Sequence, residues 1–146
     1  MKNKIIIFDF LRTIYDPDRN NFIDDALIVL NDLRKENRIV LYTSKEGDSN
    51  RIEKLQELSM DKLFDNVCLV ENKNSETMKE IGLGYENKNV VVVGDRIKGE
   101  IKIGNQNGFV TVWFKNGKYA NELPNKNDER PKYILNSLSD LLQLDI

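Results

Sequence analysis

Ile5, Ile6, Ile7 and Phe8 run without a break into an aspartate, and no other short stretch limits the possible folds so much. An unbroken apolar run of this length predicts a strand buried on both faces, which belongs in a parallel sheet covered by helices. Asp9 then stands at the strand's carboxyl end, the edge where open α/β sheets bind ligands. A carboxylate there is costly unless it meets a metal, a cation or several donors. The downstream chain therefore has to supply a partner.

Further on, the same design repeats. Ile23, Ala26, Leu27, Leu30 and Leu33 follow helical spacing, with Asn20 or Asn21 as candidate caps, behind a polar segment from Asp16 to Asn21. Ile39 to Tyr42 predict a second strand ending in Thr43 and Ser44, and Ile52, Leu55 and Leu58 mark the next helix. Val67 to Val70 predict a third strand, followed by the loop Glu71 to Asn74 and a helix from Ser75 that stops at Gly82 or Gly84. Val90 to Val93, the most β-branched run, predict a central strand ending in Gly94 and Asp95. A helix over Glu100 to Asn107, with Gly108 as its C-cap, leads to a fifth strand at Val110 to Phe114 and a turn at Asn116-Gly117. Asn121 to Lys132 form a polar loop, Tyr133 and Ile134 offer a short extended piece, and Ser137 with Asp140 resembles a capping box for a last helix, Leu138 to Leu142. Alternating strands and helices give the expected fold: a three-layer α/β sandwich with a mainly parallel sheet of at least five strands and no cap domain.

The 146 residues suit one domain, 1–146. With 32% charged residues and a net charge of −2, the surface is mixed and offers no basic field for nucleic acid or anionic lipid. The single cysteine, Cys68, lies in an apolar run and reads as a buried structural thiol. No apolar segment is long enough for a membrane span, and MKNKIIIFDF meets an acid too early for a signal peptide, so a cytoplasmic location is expected. There is no histidine, which removes Ser-His-Asp and Cys-His catalysis and imidazole zinc sites. Chemistry must run on carboxylates, lysine, hydroxyls or a hard cation.

A parallel sheet gathers Asp9, Thr43, Ser44, Lys73 and Asp95 on one edge. Two aspartates at adjacent strand ends repel unless a divalent cation lies between them, and oxygen ligands suit Mg2+. A lysine and a hydroxyl beside the cation leave room for a dianion, most naturally phosphate. Asp9 aimed at phosphorus can act as nucleophile and form an aspartyl-phosphate that water later cleaves. Lys79 competes with Lys73 for the lysine position.

Together FDFLRTIYD, LYTS, KNSETMKEI and VVVGDRIKGEI resemble the four ordered motifs of the haloacid dehalogenase (HAD) superfamily, and GNQNGFVTVWFKNGKYA is similar to the family's segment downstream of the fourth motif. The resemblance implies a Rossmann-like sheet, Mg2+ held by Asp9, the backbone carbonyl of Leu11 and Asp95, and phosphate contacts from Thr43 and Lys73, with Ser44 as the fallback for Thr43. Glu100 is similar to the second acid of the fourth motif, which holds a metal-bound water or the lysine. Arg12 stands where the family has a glycine, its guanidinium facing either the anion or solvent.

Leu11 is the main departure. The family's phosphatases have there an aspartate that protonates the leaving group and later activates water, and losing such a group forfeits about a hundred- to ten-thousand-fold in rate. The expectation is a Mg2+-dependent phosphatase, slow or restricted to good leaving groups. A phosphate- or partner-binding module without catalysis is the alternative, and a dehalogenase-like enzyme a third. The chain has no room for a lid domain, so water must be excluded by a bulky phosphorylated substrate, the Asp16 to Asn21 flap, the Asn121 to Lys132 loop or a second subunit of a homo-oligomer.

Overall fold

The computed structural model describes residues 1–146. The chain runs β1 (Ile5–Phe8), β2 (Tyr15–Asp16), β3 (Asn21–Phe22), α1 (Ala26–Arg34), β4 (Arg38–Ser44), α2 (Arg51–Glu57), α3 (Met60–Leu63) and β5 (Asn66–Val70). It continues through α4 (Ser75–Ile81), β6 (Val90–Gly94), α5 (Lys102–Gln106), β7 (Val110–Phe114) and β8 (Tyr133–Leu135) to a 3-10 helix at Leu138–Gln143.

Six strands form one sheet of order β5-β4-β1-β6-β7-β8, and every pair in it is parallel. Strand alternation divides the apolar side chains between its two faces. Ile6 and Phe8 join a core with residues of α1, α2, α3 and the final 3-10 helix, while Ile5 and Ile7 face Met78 of α4 and Ile103 of α5. That is the expected three-layer sandwich. No helix is long and apolar enough to cross a membrane. Cys68 is only half-buried, because β5 is an edge strand.

The order of the strands locates the ligand edge. From β1 the chain crosses to β4 on one side, and from β6 it crosses to β7 on the other, so the switch point lies between β1 and β6. Phe8 is in register with Val93 and with Leu41, which sets Asp9 level with Gly94 and Tyr42, one residue short of Asp95 and Thr43.

Three local expectations are revised. Asp16 to Asn21 is not a bare loop leading into a helix: Tyr15 pairs with Phe22 in an antiparallel hairpin, their rings edge to face at 6.0 Å. Neither Asn20 nor Asn21 caps a helix, and α1 begins three residues after Ile23, at Ala26, behind Asp25 in the left-handed region at φ 66°. The segment after Asp95 starts earlier than expected, as a π-helical turn over Ile97–Ile101 broken at Gly99, before α5. The Tyr133 piece is a sixth strand, seated beside β7. No lid is inserted: only the hairpin separates β1 from α1, and only α2 and α3 separate β4 from β5.

Candidate active site

At the switch point a cleft of about 240 Å³ is lined by Asp9, Leu11, Arg12, Thr43, Ser44, Lys73, Asp95 and Glu100, with Arg51, Arg96, Lys98 and Tyr119 among its other walls. Every site residue expected from the sequence meets here. Lys79, on α4, is exposed and does not line the cleft.

Asp9 follows directly from β1, and its N–H donates to the Val93 carbonyl at 3.0 Å, extending the sheet ladder by one step. Asp95 follows β6, and its carbonyl accepts from Trp113 Nε1 at 2.9 Å. Glu100 is turned back toward the strand ends by the π turn and packs over Gly94, where a Cβ would come within 2.7 Å of Glu100 Oε2. A side chain at position 94 would push Glu100 out of this place. Lys73 precedes α4, whose cap Asn74 accepts from the Thr77 N–H at 2.9 Å. Lys73 Nζ donates to Asp9 Oδ1 and, at 2.9 Å, to Glu100 Oε1, and lies 5.4 Å from the Tyr42 ring centroid.

Oxygens of Asp9, Asp95 and Glu100 lie within 4.8 Å of one another. Burial, repulsion from Asp9 and repulsion from Glu100, in that order, push Asp95 up to about 9. Glu100 is raised too, by burial and then by Asp9, against the pull of Lys73. Burial alone would lower Lys73, but the charges of Asp9 and Glu100 outweigh it and hold the ammonium raised. Asp95 Oδ2 and Glu100 Oε2 are buried without a hydrogen-bond partner. Orphaned carboxylate oxygens beside a third carboxylate fit a hard divalent cation, which would supply the missing contacts and reverse the pressure to protonate. Asp9 and Asp95 are the side chains best placed to hold Mg2+, with Glu100 committed on one oxygen to Lys73.

Two residues at the site were not singled out from the sequence. Thr13 is fully buried, with its hydroxyl 3.5 Å from Asp9 Oδ2. Arg51 is buried at the start of α2, stacks 5.5 Å from the Phe10 ring centroid and donates from Nη1 to Thr43 Oγ1 at 2.7 Å and to the Ser44 carbonyl at 2.8 Å. A guanidinium only donates, so the Thr43 hydroxyl must accept, and its own proton is left to point at a ligand oxygen. The signal for Arg51 was available: an arginine in a helix's first turn opposes the dipole and needs acceptors of its own.

The HAD-hydrolase-like family model matches residues 53–141, more than half of the chain. The chain belongs to the HAD-like hydrolases. This HAD-like hydrolase is similar to the glyceraldehyde 3-phosphate phosphatase of Pyrococcus furiosus, 31% identical over 124 residues, covering 73% of this chain and 51% of the relative. It is similar to the enzyme of the same name from Methanopyrus kandleri, 31% identical over 99 residues, covering 63% of this chain and 42% of the relative. The chain thus spans about half the length of the curated relatives it matches. Among solved structures it resembles the HAD-hydrolase YfnB from Bacillus subtilis bound to magnesium, at TM-score 0.78 and 13% identity, covering 98% of both chains. It also resembles D,D-heptose 1,7-bisphosphate phosphatase from B. bronchiseptica complexed with magnesium and phosphate, at TM-score 0.74 and 16% identity, covering 96% of this chain and 98% of that one. The matched stretch holds Lys73, Asp95 and Glu100, while Asp9 and Thr43 lie before it.

Proposed function

We propose that this HAD-like hydrolase is a Mg2+-dependent phosphatase of phosphorylated small molecules that works through an aspartyl-phosphate on Asp9. The observation that carries the reading is the meeting of three carboxylates within 4.8 Å, two with orphaned buried oxygens, beside a lysine and an arginine-held threonine. The relatives named as phosphatases support the same class.

Bound Mg2+ supplies charge neutralisation for the phosphoryl oxygens and for the paired aspartates. The Asp9 carboxylate attacks phosphorus in line with the leaving oxygen. Thr43 Oγ1 donates its free proton to a phosphoryl oxygen, and Lys73, held between Asp9 and Glu100, adds positive charge against the same group. Thr13 and the Asp9 N–H bond keep the nucleophile in place. Leu11 can neither protonate the leaving oxygen nor activate the water that cleaves the aspartyl-phosphate. Substrates whose leaving groups need no proton are therefore favoured, and breakdown of the intermediate is slow.

The test is a Mg2+-dependent assay of p-nitrophenyl phosphate and glycerol phosphate with wild type, Asp9→Asn and Leu11→Asp. Aryl turnover lost in Asp9→Asn and alkyl turnover gained in Leu11→Asp are expected. Turnover indifferent to Asp9, or none on any phosphate, would favour a phosphate- or partner-binding module.

A further inference from the structure

Position 12 sits in the left-handed region at φ 63°, where a side chain brings strain that glycine would avoid. An arginine stands there nonetheless, and it is fixed along its whole length. Its N–H donates to the Tyr15 carbonyl at 2.6 Å, and its own carbonyl accepts from Asn116 Nδ2 at 3.0 Å. Its stem lies on Gly117, where a Cβ would come within 3.0 Å of Arg12 Cδ. Its guanidinium lies 5.6 Å from the Tyr119 ring centroid, and Arg96 lies 4.6 Å from the same ring. Arg96 pairs with Glu122 at 3.4 Å, whereas Arg12 has no ion pair within the chain. Arg12 is half-buried and lines the same cleft as Asp9, Leu11, Asp95 and Tyr119.

Arg12 feels the charge of Asp95 across the cleft but makes no ion pair with it, and a cation so held, at a strained position, is arranged for an anion that arrives from outside. Lys73, Thr43 and Arg51 lie on the β4 and α4 side, while Arg12 follows Leu11, at the place where a proton donor for the leaving group is missing. Guanidinium keeps its protons at any pH a protein meets, so Arg12 can neutralise a leaving oxygen but cannot protonate it. We propose that Arg12 is the leaving-group cation of this site and that its substrates are phosphoric anhydrides, acyl phosphates or diphosphates, whose bridging oxygen departs as a carboxylate or phosphate anion. This rests on the reading of Asp9 as nucleophile.

The step balances without an acid. An Asp9 oxygen forms the new bond to phosphorus, the bond from phosphorus to the bridging oxygen breaks, and its electron pair stays on the leaving carboxylate or phosphate. The two oxygens of that group match the guanidinium fork, a pairing that an alkoxide could not make. Water then adds to phosphorus, Asp9 leaves as carboxylate, and the water's proton goes to solvent.

Arg12→Gly is the informative variant, because glycine accepts the backbone angle and the protein should melt no lower than wild type. With Mg2+, acetyl phosphate and pyrophosphate are compared with p-nitrophenyl phosphate as kcat/KM ratios; whichever anhydride is turned over identifies the acyl or the diphosphate source. The anhydride-to-aryl ratio should fall about ten- to a hundred-fold in Arg12→Gly, as expected for a lost charge-assisted pair. Calorimetry gives an independent reading: methylenediphosphonate or phosphonoacetate should bind Arg12→Gly about tenfold more weakly, with inorganic phosphate affected less. An unchanged ratio, equal losses on all substrates, or aryl turnover without anhydride turnover in wild type would overturn the role of Arg12 while leaving an Asp9-dependent phosphatase standing. Anhydride turnover unaffected by Asp9→Asn would instead overturn the nucleophile, and this inference with it.

Discussion

Thr43 has one proton to give, and Arg51 decides where it goes. Replacing Arg51 with methionine should raise KM for an aryl phosphate about tenfold, the scale of one hydrogen bond to a charged group, with a smaller effect on kcat. In a Thr43→Val background the same replacement should add little, and a full additive loss in that double mutant would show that Arg51 acts elsewhere. Asp95 makes a pH prediction. Its ordinary value is 3.8, and the fold pushes it up to about 9 through burial first and then the charges of Asp9 and Glu100. A carboxyl that holds its proton in the folded chain and loses it in the unfolded chain contributes stability below the lower value, and that stability is lost as pH rises toward the upper one. Glu100 shifts in the same direction, and the raised Lys73 acts only above its ordinary 10.5. The metal-free protein should thus lose melting temperature steadily from about pH 4 to about pH 9, and Asp95→Asn should flatten the slope. A slope that Asp95→Asn leaves unchanged would place its origin in other groups. Asp9 and Asp95 could be read from the sequence because each ends an apolar run, so the strand itself predicts where the acid stands. The need of Arg51 for acceptors is legible from its place in a helix's first turn, but its pairing with Thr43 and the seat of Arg12's stem on the Gly117 to Tyr119 turn are not, since tertiary packing brings those partners together.

The strands that read most plainly are those buried on both faces, although the edge strand β5 was also legible from Val67 to Val70. β1, β4 and β6 announce themselves as continuous apolar runs and β7 as one broken only by Thr111, and Ile7, fully enclosed between α4, α5 and its neighbours, should cost about 2–5 kcal/mol when cut to alanine. Short elements escape such patterns. The hairpin of β2 and β3 has two-residue strands, too few for an alternation to register, and it is held by ring packing of Tyr15 with Phe10 and Phe22. The π turn before α5 arises from Gly99, whose non-helical backbone at φ −114°, ψ −110° interrupts a pattern that otherwise reads as one helix. Close packing of α5 on the sheet gives a stability test. A Cβ on Gly104 would lie 2.8 Å from Thr111 Cγ2 and 3.2 Å from Val92 Cγ2, so Gly104→Ala should lose about 1–3 kcal/mol in denaturant melts despite its better helix propensity. A neutral or stabilising result would mean that α5 can slide on β6 and β7.

At the scale of the whole molecule, the sheet order brings residues from four loops to a single edge, and without an inserted lid that edge stays open. The cleft of about 240 Å³ has room for a phosphoryl group and the first atoms of a leaving group, so the bulk of a larger phosphorylated substrate would lie outside it. A cation between Asp9 and Asp95 should stabilise the entire domain: Mg2+ at a hundred times its dissociation constant is worth about 2.7 kcal/mol. Wild type should therefore show a Mg2+-dependent rise in melting temperature that Asp95→Asn loses, and an equal rise in the variant would remove Asp95 from the metal site. The covalent role of Asp9 is tested most directly by acid-quenching the protein during Mg2+-dependent turnover and locating any phosphate adduct by mass spectrometry. Because Leu11 supplies no base for hydrolysis of the intermediate, one phosphate should accumulate on Asp9 and disappear in both Asp9→Asn and Leu11→Asp; turnover with no adduct, or an adduct that survives Asp9→Asn, would contradict a nucleophilic Asp9.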